Sequence, residues 1–218
     1  MSRVLRIDVW FDFICPWCLI GKRQLGKALA LLRASYPEVE PEVHWHGVQL
    51  LPQAPPEGWP FMDFYIRRLG SVQAVRARQA MVLDAARTAG AEVDFASIGV
   101  MPNTANAHRL FAAAGTLATP AQLDALLERL YEAHFSRGLN LGNPEVLLAE
   151  VASTGLPLGS LVSALRADGR AWASASAPPD PSGGVPCFLF NGSCYVSGAQ
   201  PAAALHAAMR QALDAQPA

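Results

Sequence analysis

The stretch FDFICPWCLIGKRQL, Phe11 to Leu25, decides the fold. It holds two of the chain's four cysteines, Cys15 and Cys18, with Pro16 and Trp17 between them. Ahead of it, Arg6 to Phe13 is rich in Ile, Val, Phe and Trp and predicts a strand. Behind it, from Cys18 to Ser35, apolar residues fall at 19, 20, 25, 28, 29, 31 and 32, a helical spacing. The two thiols therefore stand where a strand ends and a helix begins. A helix N-terminus carries unpaired N–H groups and the positive end of the dipole, and both stabilise an anion. A thiolate on Cys15 is favoured there. Pro16 suits the first helical turn, where no N–H is needed. Cys18 is one turn further on, within reach of a sulfur bonded to Cys15. The spacing is that of a dithiol–disulfide switch, with Cys15 attacking and Cys18 resolving.

The rest of the chain supplies the frame. Val43 to Val48 predicts a second strand, and Leu51 to Pro60 (LPQAPPEGWP) is an irregular, proline-rich junction. Helical signals follow. Phe61 to Leu69 closes at Gly70, and Ser71 caps a helix running to Gly90. Asn103 or Thr104 caps one that ends near Gly115. Thr119-Pro120 starts a helix that stops at Gly138, and Asn143-Pro144 starts one closed by Gly155. A last helix of this block is expected from Pro157 to Asp168. Ala173 to Gly184 reads as a loop. Two short strands, Cys187–Phe190 and Tyr195–Ser197, flank Asn191-Gly192, a strong hairpin signal, and Pro201 to Leu213 is a closing amphipathic helix. The order β-α-β, helices, ββα has one economical solution: the two ends join in one sheet. The expected fold is α/β, a thioredoxin fold with a large inserted all-helical domain. The expected boundaries are 1–52 with 178–218 for the thioredoxin-like domain and 57–172 for the insertion. Either terminal fragment alone has too little core to fold.

Composition narrows the function. Apolar residues make up 51% and charged residues 16% of the 218, with a formal net charge of −1. Such a chain has a core, and it has no basic excess to drive nucleic-acid binding. No apolar run is long enough to span a bilayer, and the start, MSRVLRIDVWFDF, reads as a strand rather than a signal peptide. A cytoplasmic location is expected, where cysteines serve catalysis or metals more often than structural disulfides. A zinc site would need a second thiol pair, and the six-residue gap between Cys187 and Cys194 suits no common knuckle. No metal and no cofactor are expected. Around a two-residue Asn191-Gly192 turn, Cys187 would lie diagonally from Cys194 on one sheet face, about 7 Å away. They are either two buried apolar thiols or a second redox pair.

Several other residues are candidates for the site. Asp12, three residues before Cys15, is either a proton acceptor for Cys18 or a strand-end cap. His108, in NTANAHRL, is either packed on its helix or turned to the dithiol, and Asn103 is first a helix cap. His44 and His46 alternate on a strand, a weak metal signal on their own. Trp17 offers an aromatic surface beside the sulfurs.

DFICPWCLIGKRQL together with GVPCFLFNGSCYVSGAQP resembles the FrnE-like branch of the DsbA family of thiol–disulfide oxidoreductases. VHWHGVQLLPQAPPEG, NTANAHRL and LYEAHFSRGLNLGNPEVL are similar to landmarks of that family, so the resemblance covers nearly the whole chain. It implies a thioredoxin fold with a helical insertion, Cys15 as nucleophile and Cys18 as resolving thiol. It also implies a cis Val185–Pro186 bond facing the dithiol. Proline donates no N–H, which leaves neighbouring backbone open for a substrate chain to pair with. The partners it implies are protein or small-molecule thiols and disulfides, glutathione among them. Two features depart from the pattern. The segment before the GVP loop, where family members resemble one another in carrying a helix, here reads APPDPSGG. Cys187 follows the proline directly, a place often filled by a bulky or β-branched residue. The competing readings are a glutathione-dependent isomerase or transferase of the kappa or 2-hydroxychromene-2-carboxylate isomerase type, and a non-enzymatic redox sensor. The first group typically carries serine where this chain has Cys15.

Overall fold

The computed structural model describes residues 3–166, 170–180 and 182–215. Close packing divides the chain into two units, Met1–Val48 with Ala89–Ala91 and Ser174–Ala218, and Gln49–Thr88 with Glu92–Ala173.

The first unit is built from the two ends of the chain. Strand β1 (Arg3–Phe11) leads into helix α1 (Pro16–Ser35), which returns to β2 (Val39–Gly47) parallel to β1. A parallel pair needs such a crossover, and α1 supplies it. At the other end, β5 (Cys187–Phe190), β6 (Cys194–Ser197) and α8 (Ala202–Asp214) complete the unit. The sheet order is β2-β1-β5-β6, with β5 antiparallel to both neighbours. Alternation along β1 sends Leu5, Ile7 and Val9 to one face and Arg6, Asp8 and Trp10 to the other. The first face forms the core with Leu25, Ala28 and Leu32 of α1, Phe188 and Phe190 of β5, and Leu205, Met209 and Leu213 of α8. The two terminal fragments thus share one core, which is why neither suffices alone. This is the α/β thioredoxin fold expected from the element order.

The second unit is mainly helical. A two-stranded ribbon joins β3 (Trp59–Pro60) to β4 (Val100–Met101). The helices are α2 (Phe61–Leu69), α3 (Val72–Ala89), α4 (Ala105–Gly115), α5 (Pro120–Phe135), α6 (Pro144–Ala152) and α7 (Leu158–Val162). Local signals set their ends. Gly70 takes the left-handed conformation after α2, at φ 89°. Ser71 Oγ accepts from Ala74 N–H at 3.1 Å at the start of α3. Helices α4 to α7 pack on one another and bury Leu110, Leu126, Leu130, Leu147 and Leu161.

Two elements differ from expectation. The helix expected over 157–168 is the short α7, and residues 165–166 are already irregular. The far end of that expectation, through Asp168, lies outside the described residues. The second difference is the hairpin register. Phe190 pairs with Cys194 and Cys187 with Ser197. Asn191 and Gly192 both take positive φ, 48° and 68°, and Ser193 N–H closes the turn on Phe190 O at 3.1 Å. Ser193 is therefore an extra residue between turn and ladder. A one-residue slip turns a side chain to the opposite face. Cys187 lies on the Trp10 face and Cys194 on the core face, so the same-face diagonal expected for them is replaced by opposite faces.

Candidate active site

The site begins with the way β1 ends. Asp12, just past the strand, accepts Cys15 N–H on its carbonyl at 3.2 Å, which turns the chain into α1. Cys15 is the N-cap residue, with extended backbone (φ −90°, ψ 107°), and Pro16 opens the first turn. The Cys15 side chain makes no capping hydrogen bond. Cys15 O instead accepts from Cys18 N–H at 2.9 Å and from Leu19 N–H at 3.4 Å. Cys15 and Cys18 are buried, whereas Pro16 and Trp17 between them are half-buried.

The second half of the site arrives from the far end of the sequence. The Val185–Pro186 bond is cis. Cys15 Sγ lies 3.6 Å from Val185 O. Pro186 O accepts Gly198 N–H at 2.8 Å, which ties this loop to the end of β6. The loop can come so close to α1 because residue 21 is glycine. A Cβ there would stand 2.9 Å from Pro186 Cγ and 3.3 Å from the Phe188 ring. Nothing in the sequence singles this glycine out, because a Gly inside a helical pattern reads only as a weakness.

The surroundings of Cys18 hold it in the thiol form. Burial pushes the Cys18 thiol well above its ordinary value, and the hydrogen bond and charge of Cys15 add to this. The backbone N–H of Asp12 opposes the shift, while the Asp12 charge supports it. Cys18 therefore keeps its proton at neutral pH. Asp12 itself is fully buried.

The remaining candidates belong to the two faces of the sheet and to the helical unit. Cys187 is buried, and burial raises its thiol; the Tyr195 hydroxyl and the Trp10 backbone oppose this, and the Asp180 charge adds to it. Cys194 is half-buried, its Sγ 3.7 Å from Gln211 Oε1 of α8. On the sheet face opposite the core, His46 Nε2 lies 2.7 Å from Asp8 Oδ1, and Arg6 binds both oxygens of Asp8 at 2.7 Å. Burial alone would raise Asp8, but Arg6 and His46 outweigh it and hold the carboxyl below its usual range. Trp10 stacks on His46 with centroids 4.8 Å apart, and its Nε1 donates to Ser176 O at 3.1 Å. Nothing in the sequence points to Trp10 as an anchor for the segment that precedes the Pro186 loop. That segment has no helix among the described residues. His44 approaches Glu42 at 3.8 Å.

Asn103 and His108 belong to the helical unit. Asn103 Oδ1 accepts from Ala105 N–H and from Gln49 Nε2, both at 2.9 Å, and its Nδ2 donates to Ala54 O at 2.5 Å. The N-cap residue of α4 is Thr104, whose side chain makes no capping bond; Asn103, one residue earlier, supplies the hydrogen bond to the first turn instead and also ties down the Gln49–Ala54 stretch. His108 is buried and stacks with Trp172, with centroids 6.1 Å apart. Among the described residues no helix is long and apolar enough to cross a membrane.

The fold and the family are shared with known proteins. The fold is similar to that of a probable DsbA oxidoreductase from Streptomyces coelicolor, at 25% identity and a TM-score of 0.79, covering 98% of this chain and 92% of that one. It is also similar to a 2-hydroxychromene-2-carboxylate isomerase, at 17% identity and a TM-score of 0.59, covering 97% of this chain and 100% of the other. No curated protein matches the sequence. The family model of the DSBA-like thioredoxin domain matches residues 6–174, from within β1 through the helical unit. This chain belongs to the DSBA-like thioredoxin domain family.

Proposed function

We propose that the protein is a thiol–disulfide oxidoreductase whose redox centre is Cys15–Cys18. One observation carries this reading: Cys15 caps α1 with its sulfur unused by the cap, beside Val185 O, while the buried Cys18 holds its proton one turn away. In the reducing direction the Cys15 thiolate attacks one sulfur of a substrate disulfide. A Cys15–substrate disulfide forms, and the other substrate sulfur leaves as a thiolate and takes a proton from water. Cys18 then gives up its proton and attacks Cys15 Sγ. The Cys15–Cys18 disulfide forms and the second substrate thiolate is released. Two electrons pass from the dithiol to the substrate. Run backwards, the same steps oxidise a substrate dithiol, and a reversed mixed disulfide allows isomerisation. Asp12, buried beside Cys18, takes the Cys18 proton in the resolving step. The Val185 backbone pairs with an extended substrate chain, and Trp17 gives it an apolar surface. The substrates are protein or small-molecule disulfides, with a thiol such as glutathione restoring the dithiol. Presence of the cysteine at 15 sets this reading above the isomerase and transferase alternatives.

An insulin-type disulfide substrate tests it. Cys15→Ser is expected to fall to the background rate, and Cys18→Ser to accumulate a mixed disulfide visible by mass spectrometry. Wild-type turnover by Cys15→Ser would end the proposal.

A further inference from the structure

The motif NTANAHRL belongs to the helical unit, where it builds a site of its own. We propose that the helical unit binds a small oxyanion, a phosphate or carboxylate group, in a cavity formed by Asn103, Asn106 and Arg109 with Arg166, Arg170 and Gly142. This goes beyond the redox reading and does not depend on it.

The cavity measures about 40 Å³. A water needs roughly 10–15 Å³ of such space, so there is room for about three waters or one compact anionic group. Three arginines line it, in a chain whose formal net charge is −1. Such a cluster does not follow from composition. It is assembled by specific backbone contacts. Asn106 Nδ2 donates to Arg166 O at 2.9 Å, and Asn106 Oδ1 accepts Arg166 N–H at 3.1 Å. This two-point clamp fixes the chain at Arg166 against α4. Arg109 does the same further along, with Nη2 donating to Ala171 O at 3.2 Å and to Arg170 O. Its Nη1 donates to Asn106 Oδ1 at 3.0 Å.

Every acceptor that Arg109 uses is neutral. The guanidinium is thereby oriented, but its charge is not cancelled. Among the described residues neither Arg109 nor Arg166 is ion-paired. Arginine has five N–H donors, and Arg109 engages three, which leaves donors for an occupant. Arginines gathered around one small space bring like charges near one another, and an oxyanion reverses the sign of that interaction. Asn103 is wall rather than ligand, because its amide is already engaged on both sides. Asp168 lies between Arg166 and Arg170 in sequence but outside the described residues, and the site is defined without it.

Calorimetric titration of the full chain with sodium phosphate, and separately with sodium acetate, tests this at constant ionic strength set by chloride. Saturable binding of either anion is expected, and the tighter of the two identifies the group as phosphoryl or carboxyl. Arg166→Gln is the decisive variant, since among the described residues no hydrogen bond or ion pair of its side chain supports the fold. It is expected to weaken binding about tenfold, the loss of one charge-assisted contact. Arg109→Lys, which keeps the charge but loses the fork, is expected to weaken it less than Arg109→Gln. Absence of saturable binding by the wild type, or affinity unchanged in an Arg109→Gln, Arg166→Gln double variant that still unfolds cooperatively, would overturn the proposal.

Discussion

Helices α1 and α5 begin with the same device, a cap residue followed by proline at the first helical position, and they use it for opposite ends. At α5 the cap closes on itself. Thr119 Oγ1 accepts Gln122 N–H at 3.3 Å, and Gln122 Oε1 accepts Thr119 N–H at 3.1 Å. At α6 Asn143 Oδ1 likewise accepts Glu145 N–H, at 2.8 Å. At α1 the cap is Cys15, and its side chain makes no such bond. A good cap stabilises a helix by about 1 kcal/mol, so α1 forgoes that stabilisation and leaves the positive end of its dipole to a sulfur. On the proposed function, the same start signal serves stability in the helical unit and reactivity in the thioredoxin-like unit.

The largest effect should come from making α1 resemble α5. Cys15→Ser places a preferred capping hydroxyl at the helix start. Disulfide reduction should drop to background while the fold gains up to about 1 kcal/mol, read from urea denaturation of the reduced proteins. A variant less stable than the reduced wild type would break the comparison. Next comes Asp12→Asn, which keeps the strand-to-helix turn but removes the proton acceptor. Resolution of the mixed disulfide should slow by about a hundredfold, while alkylation of Cys15 proceeds at its normal rate. Equal slowing of both steps would make Asp12 structural only.

The two glycines of α1 sharpen the contrast between a working and an idle position. Gly21→Ala pushes a methyl into Pro186 and should destabilise by about 1–3 kcal/mol, lowering turnover with it. At Gly26 a Cβ would meet nothing within 4 Å, so Gly26→Ala should stabilise by about 0.5–1 kcal/mol with turnover unchanged. Thr119→Ala should cost about 1 kcal/mol and leave thiol chemistry alone; a change in turnover would show that the α5 cap is not purely structural.

A last effect is nil near neutral pH and grows above it. Cys18 and Cys187 are both raised from an ordinary value of 9.0. The folded state keeps their protons after the unfolded chain has lost them. Their stabilisation is full below the unfolded value and is lost as pH rises through it toward the folded values. Oxidation to the Cys15–Cys18 disulfide removes the Cys18 share, so the oxidised protein should lose stability less steeply with alkaline pH. Parallel slopes for the two redox forms would contradict the environment described for Cys18.

Local signals carried the helix starts. Ser71, Thr119 and Asn143 are caps because an oxygen on a short side chain reaches N–H groups two or three residues on, and that geometry needs no distant partner. The joining of the two chain ends into one sheet was also legible, because neither end has enough apolar residues to bury a sheet face alone. The hairpin register was not. Asn191-Gly192 marks a turn, but whether Ser193 joins the ladder depends on how β5 is held by β1, where Asn191 N–H bonds Arg6 O at 2.9 Å and Asn191 Oδ1 accepts Arg6 N–H at 2.9 Å.

The sequence by itself determined that two thiols stand one helical turn apart at a helix start, because spacing and proline position are properties of the local chain. Only the tertiary structure decided what meets them. Val185 O reaches Cys15 across 170 residues. Gly21 matters because Pro186 lands on it, Trp10 because Ser176 crosses it, and Arg109 because the chain near Arg170 folds back over α4. Each of these is a close approach between segments remote in sequence. Such approaches follow from how a shared core is packed, and no local pattern encodes them.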